Sequence, residues 1–167
     1  MRLNKLFIAL SAIIALAVSC SPNPAEDPAP ATISGDYIGT VTVTGGMMDR
    51  ETRQTIGDLV QDSVGVSIIA EEAGTFAIRM YDVQFSNMMP TTITMEIPSV
   101  NITDGKISGE GIVPLYITEA GSQPYDRYTV TKLKGTITYS STDEPQDIEF
   151  SLNFGQYPTS FKGKYNK

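Results

Sequence analysis

The residue types that most often do chemistry in proteins are scarce in this chain. It has no histidine, the commonest general base and metal ligand, and its one cysteine is Cys20. No G-x-S-x-G or S-x-x-K pattern marks an activated serine. Asp143, Glu144, Asp147 and Glu149 lie close together, but "STDEPQDIE" has the composition of a polar turn that enters a strand, without the spacing of a calcium loop. We predict that the protein is not an enzyme and has no cofactor or metal.

The one cysteine marks the boundary between two unlike segments. A short basic start precedes an apolar run over residues 6–18, which is too short to span a bilayer and is typical of a secretory signal peptide. Ala17 and Ser19 lead into Cys20, and this arrangement resembles the lipobox of bacterial lipoproteins, although Ala17 stands where leucine is commonest. The resemblance implies that residues 1–19 are removed and that Cys20 carries a diacylglyceryl group with fatty acids such as palmitate. The alternative is an ordinary signal peptide followed by a free thiol.

The segment after Cys20 is rich in proline. Residues 21–32 read "SPNPAEDPAPAT", and because proline fixes φ and lacks a backbone N–H, we predict an extended linker over residues 20–32. Residues 33–167 then form one domain. A lipid anchor places the protein in the cell envelope, at the outer membrane, on the periplasmic or the surface leaflet. Glu26 and Asp27 fit export to the outer surface, and they fit a solvated linker equally well.

The charge of the chain limits its partners. Without residues 1–19 the chain carries ten basic and nineteen acidic side chains, a net charge of −9, which disfavours nucleic acid and anionic lipid surfaces. We also expect a monomer, and we expect its membrane contact to be made through the acylated Cys20. Basic residues are densest in two short groups that are too small to change this expectation: Lys132 and Lys134, and then Lys162, Lys164 and Lys167.

Apolar and polar residues alternate along eight segments of the domain, which predicts eight strands. A phase change near Met80 predicts a bulge or a corner, and the phase shifts again inside residues 127–139. Pro98 is expected to end a strand, and residues 45–58 are expected to form a loop or a ragged hairpin arm. The predicted strands cover residues 36–44, 59–70, 75–85, 91–97, 107–117, 127–139, 147–154 and 159–167. The fold class is all-β, with an eight-stranded antiparallel up-and-down barrel favoured over a two-sheet sandwich of similar pattern.

The lipobox and the proline-rich linker precede a strand like "GDYIGTVTVT", a central "NITDGKISGEGIV" and a closing "IEFSLNF…FKGKY". Together these resemble the calycin-like lipoproteins of Gram-negative gut anaerobes. The resemblance implies a barrel similar to lipocalins and avidins, and it supplies no catalytic residues. The chain differs in its longer connection over residues 45–58 and in an inserted segment over residues 119–126.

Two kinds of binding fit a barrel of this type. In the first, the lumen holds a small apolar or amphipathic ligand, lined by Met80, Ile93, Met95, Phe150 and Leu152. In the second, the same side chains fill a solid core, and loops contact a protein or a glycan. Amphipathic side chains suited to such loops are Tyr116, Tyr125, Tyr128 and Tyr157.

One further motif concerns modification. "DSV" over residues 62–64 matches an O-glycosylation motif of exported proteins in some gut anaerobes, which makes Ser63 the candidate acceptor. The alternative is that Ser63 is an ordinary outward-facing residue of a strand.

Overall fold

The computed structural model describes residues 33–167. The signal peptide, Cys20 and the linker lie outside the described residues. Two short 3₁₀ turns cover Glu72–Gly74 and Asp126–Tyr128. The strands are β1 (Gly35–Met48), β2 (Thr55–Ala70), β3 (Phe76–Val83), β4 (Ile93–Thr103), β5 (Lys106–Gly109), β6 (Leu115–Thr118), β7 (Gly121–Pro124), β8 (Val130–Tyr139), β9 (Pro145–Phe154) and β10 (Tyr157–Tyr165).

The strands close into an eight-stranded antiparallel barrel, which confirms the predicted fold class. The closed order is β3-β2-β1-β10-β9-β8-β5-β4, and β4 returns to pair with β3. The predicted strand over residues 107–117 is interrupted, because β5 pairs with residues 101–103 of β4 whereas β6 pairs with residues 94–96. On its other edge β5 pairs with β8, while β6 forms a hairpin with β7. Residues 119–126 therefore supply β7 and the turn of this extra hairpin.

Bulges, where extra residues in one strand break the register, occur in several strands, and in four of them a non-glycine residue of the bulge lies in the left-handed region of φ. The residue in the left-handed region of φ is Ser63 in β2, Asp82 in β3, Ser99 in β4 and Lys132 in β8. The bulges in β3 and β8 confirm the predicted phase changes. Bulges bend a strand and increase its twist, which helps a sheet to curl and close.

The bulge in β4 corrects the expectation that Pro98 ends its strand. β4 continues to Thr103 because the strand bulges at Ser99, which directly follows Pro98. The backbone N–H of Ser99 donates to the carboxylate of Glu71 at 2.8 Å, a bond from the neighbouring turn that satisfies a donor at the bulge.

The connection over residues 45–58 is a hairpin arm and not a loop. β1 extends to Met48 and β2 begins at Thr55, so that the turn spans only residues 49–54. The Asp49 carboxylate accepts the backbone N–H groups of Glu51 and Thr52 at 3.0 and 2.7 Å, and these bonds lower the pKa of Asp49.

Glycines at inward-facing positions allow the barrel to curve tightly. A Cβ at Gly39 would overlap the carbonyl oxygen of Lys162, and a Cβ at Gly135 would overlap the backbone and Cβ of residues on β9. Large side chains fill the space that these positions leave, among them Phe150 and Phe161, whose ring centroids are 5.3 Å apart. The backbones of neighbouring strands therefore come close together at Gly39 and Gly135, in the part of the barrel that holds large aromatic rings.

The two ends of the barrel differ in their connections. Ile33 and Lys167 lie at one end, the terminal end, together with the short connections over residues 71–75, 104–105 and 140–144. The opposite end, the loop end, carries residues 49–54, 84–92, 110–129 and 155–156. Whatever precedes Ile33 is therefore joined to the barrel at the end opposite its longest connections.

Candidate functional site

The five residues proposed to line a lumen lie mostly in packed core. Met80 and Met95 expose 0% of their surface, Phe150 1% and Leu152 2%, whereas Ile93 is half-buried against them. The first four side chains are therefore surrounded by other protein atoms, and a ligand at this position would have to displace core contacts. Ligand binding by these residues stays a prediction, and the packing favours the alternative of a solid core.

The β3–β4 connection, residues 84–92, packs into the loop end of the barrel, and we call it the plug. Phe85 is fully buried, and its ring centroid lies 4.7 Å from that of Phe154 and 4.9 Å from that of Tyr128. The side-chain amide of Asn87 donates to the carbonyl of Met48 at 3.0 Å and accepts from its N–H at 2.9 Å, as a paired strand would. This connection therefore crosses the mouth of the barrel and is fastened to β1.

Four tyrosines form a chain of ring contacts at the loop end, and two of them, Tyr128 and Tyr157, contact Phe85. Tyr116 lies 6.1 Å from Tyr125, Tyr125 lies 5.0 Å from Tyr128, and Tyr128 lies 6.0 Å from Tyr157, all measured between ring centroids. We call these four residues the tyrosine cluster. They come from β6, from the residue before the second 3₁₀ turn, from the end of that turn and from the start of β10. The structure thus brings together all four of the loop tyrosines that the sequence nominated.

Hydrogen bonds of the backbone hold the two central members of the cluster in place. The N–H of Tyr125 donates to the carbonyl of Pro114 at 2.9 Å, and the N–H of Tyr128 donates to the carbonyl of Tyr125 at 3.0 Å. Ile112 and Val130 exchange two bonds of 3.1 and 2.7 Å beneath them. The interrupted strand therefore lets the chain turn back and present two aromatic rings from one short turn.

The four tyrosines of the cluster differ in how much of each side chain is exposed to solvent. Tyr128 is buried, Tyr116 and Tyr157 are half-buried, and Tyr125 is 36% exposed. Burial is the main cause that raises the pKa of Tyr128, and the nearby Tyr157 adds to it, while Arg127 acts in the opposite direction. The guanidinium of Arg127 lies 5.9 Å from the centre of the Tyr128 ring, within the range of a cation–π contact. The cluster offers aromatic surface, hydroxyl groups and one cation.

The remaining candidates of the sequence are scattered over the surface. Ser63 is exposed and lies at the bulge of β2, which is compatible with a modified residue or with an ordinary outward-facing one, so its glycosylation stays a prediction. The carboxylates of residues 143–149 do not converge: Glu144 pairs with Lys167 and Glu149 with Lys162. Within residues 33–167 no group of three acidic, histidine or cysteine side chains is arranged to hold a metal ion.

A polar row crosses four strands on the outer surface and was not anticipated from the sequence. Ser67 donates to Asp36, and the hydroxyl of Tyr81 lies 3.1 Å from Ser67 Oγ, while Arg79 pairs with Glu96 in the neighbouring strands. Every member of the row is bonded to another protein group, which indicates a structural role.

Among the described residues no helix has the length and apolar character needed to cross a membrane. Comparison with family models, with curated proteins and with solved structures gave no match.

Proposed function

We propose that this protein is a lipid-anchored, non-catalytic binding module of the cell envelope, which contacts a partner protein through its tyrosine cluster. The observation that carries the proposal is the convergence of Tyr116, Tyr125, Tyr128 and Tyr157 at the loop end of the barrel. The chain enters the barrel at the opposite end, so that an anchor at Cys20 would leave the cluster facing away from the membrane.

The composition of this end supports a protein partner. Tyrosine, arginine and methionine are enriched at protein interfaces, since their large side chains bury much area and tyrosine adds a hydrogen-bonding group. Here Arg127 lies over the ring of Tyr128, and Met89 is half-buried against the core, where its Sδ accepts the N–H of Phe85 at 3.1 Å. A rigid aromatic surface loses little conformational entropy on binding, because Phe85 and Tyr128 already fix the rings from below.

Photo-crosslinking in the producing cells tests this function. A benzophenone amino acid placed at Tyr125 should give one discrete crosslinked species, and the additional change Arg127→Ala should weaken it. The matched control carries the same probe at Glu72, an exposed position in the turn over residues 71–75 at the terminal end. A protease-sensitive product at Tyr125 and none at Glu72 supports the proposal. Equal products at both positions would contradict it, and a product sensitive only to glycosidases would replace the protein partner with a glycan.

A further inference from the structure

The lysines of this acidic protein are gathered on one outer face of the barrel. Five of the six lysines of residues 33–167 point outward from β5, β8 and β10, next to the inward-facing Ile107, Leu133 and Phe161. We call this surface the lysine face. It consists of the outward side chains of β5, β8, β9 and β10, and its lysines are Lys106, Lys132, Lys134, Lys162 and Lys164.

Strand pairing places three of these lysines in two neighbouring rows, and Lys164 lies in the row beyond them, opposite Asp147. In one row Lys106 lies opposite Thr136, which lies opposite Glu149, which in turn lies opposite Lys162. In the next row Ser108, Lys134, Ser151 and Ser160 follow one another across the same four strands. Neighbouring strands are about 4.8 Å apart and successive rows about 7 Å apart. The ammonium groups therefore share a surface that one extended polymer can cover.

Most of these positive charges are not neutralised. Lys162 pairs with Glu149 at 3.1 Å, and among residues 33–167 the other four lysines of the face have no carboxylate within ion-pair distance. The face carries five lysines against Asp147 and Glu149, whereas the rest of these residues hold five basic and fifteen acidic side chains. Salt screens exposed charges beyond about 8 Å at physiological ionic strength, so a ligand on the face responds mainly to the local excess of positive charge.

The face also contains shallow grooves and hydroxyl groups. Three shallow grooves of about 420, 290 and 370 Å³ lie on or beside it. Lys134, Ser151 and Ser160 line two of them, and Lys132 with Asn153 extends one toward the loop end. At the rim the Glu110 carboxylate accepts the backbone N–H of Lys132 at 2.7 Å, which fixes the bulge that turns this lysine outward.

The side-chain types select among polyanions. No aromatic residue points outward from β5, β8, β9 or β10 within the described chain, so the face lacks the stacking surface that single-stranded nucleic acids require. Its four strands also lack exposed large apolar side chains, and Ile38 on the neighbouring β1 is a single exposed apolar residue at its border, too little to insert into a bilayer. Lysines separated by serine and threonine hydroxyls match a polymer whose anionic groups alternate with sugar hydroxyls. We propose that the lysine face binds an anionic polysaccharide, which carries carboxylate, sulfate or phosphate groups along its chain.

Binding of the full-length protein in detergent to immobilised polysaccharides tests this proposal. The protein should bind polygalacturonate and dextran sulfate but not uncharged dextran, and the affinity should fall as salt concentration rises, because counterions are released. Changing both Lys132→Gln and Lys134→Gln should weaken binding about tenfold, whereas changing both to arginine should retain it. The matched control, Arg50→Gln with Arg53→Gln, removes the same charge from the exposed β1–β2 turn and should leave binding unchanged.

Several outcomes would overturn the proposal. One is an equal loss of affinity in the double variant Lys132→Gln, Lys134→Gln and in the control Arg50→Gln, Arg53→Gln. The others are binding to uncharged dextran and a lack of binding to either anionic polymer. Tighter binding to single-stranded DNA or to vesicles containing phosphatidylglycerol would assign the face to another class of ligand. Tyr125→Ala should not alter polysaccharide binding, so that a failure here is separate from a failure of the proposed protein contact.

Discussion

Replacing Tyr37 by phenylalanine should make the protein more stable. The side chain is 1% exposed, and its hydroxyl has no hydrogen-bond partner in the described structure. The ring itself packs edge-on against Tyr165 at 5.7 Å, a contact that phenylalanine keeps. The substitution therefore removes only a buried polar atom that lost its water on folding.

The size of the effect follows from the cost of an unsatisfied hydroxyl. Burying such a group without a partner costs about 1–3 kcal/mol, so Tyr37→Phe should raise the free energy of unfolding by an amount in this range. A matched control is Tyr81→Phe, since the Tyr81 hydroxyl lies 3.1 Å from Ser67 Oγ, which already donates to Asp36. Losing that bond should lower stability by about 0.5–1.5 kcal/mol. The same chemical change should thus have opposite signs at the two sites.

The pH dependence gives a second readout. Burial raises the pKa of Tyr37 well above its ordinary value of about 10, and Tyr139 and Tyr165 raise it further. The unfolded chain loses this proton above about pH 10 while the folded chain keeps it, so stability is fully present below pH 10 and falls as the pH rises above it. Tyr37→Phe should make this alkaline decline less steep.

Urea denaturation followed by circular dichroism, at neutral pH and between pH 9 and 11, measures both effects. A loss of more than about 1 kcal/mol in Tyr37→Phe would refute the reasoning, because it would mean that the hydroxyl has a partner such as a buried water. An unchanged alkaline slope would refute the assignment of that slope to Tyr37.

Three other changes test the anchor, the core and the curvature. Cys20→Ala should release the protein from membranes and abolish labelling by a fatty acid such as palmitate; an unlabelled wild-type protein would contradict this. Phe150→Ala should lower the free energy of unfolding by about 3–5 kcal/mol through the cavity it leaves, and a smaller loss together with release of a bound apolar molecule in native mass spectrometry would favour the lumen ligand instead. Gly39→Ala should cost about 1–3 kcal/mol because its Cβ meets the backbone of β10, whereas Gly57→Ala, where a Cβ meets nothing within 4 Å, should change stability little.

Local alternation was enough to predict the barrel strands, because each depends on which side chains face the core. The interruption between β5 and β6 was not predictable in this way, since it depends on β4 accepting two different partners along one edge. β4 continues past Pro98 through the bulge at Ser99, whose N–H donates to Glu71, a residue that is distant in sequence and close only in the folded chain. Sequence patterns describe one strand at a time and so miss features that depend on two.

The same reason explains what was missed on the surface. Lys132 and Lys134 are far in sequence from Lys162 and Lys164, and each group alone was considered too small to change the partners expected from the net charge. Each lysine alternates with an inward apolar residue, and β8, β9 and β10 are consecutive antiparallel strands, so a signal for one shared face was present. The four tyrosines were identified from their residue type, but their proximity carried no such signal, because they lie on a hairpin, a 3₁₀ turn and a strand that come together only when the barrel closes.

A filled barrel separates stability from recognition. Along each strand the inward residues form the core and the outward ones meet solvent, so that lysine-face variants such as Lys134→Gln remove no core contact. Most surface substitutions of this kind change stability by less than about 0.5 kcal/mol. Tyr125 is similarly exposed, whereas Tyr128 is packed against Phe85 and belongs to both the cluster and the core. Binding defects in Lys134 and Tyr125 variants can therefore be interpreted directly, while a defect in a Tyr128 variant needs a stability measurement beside it.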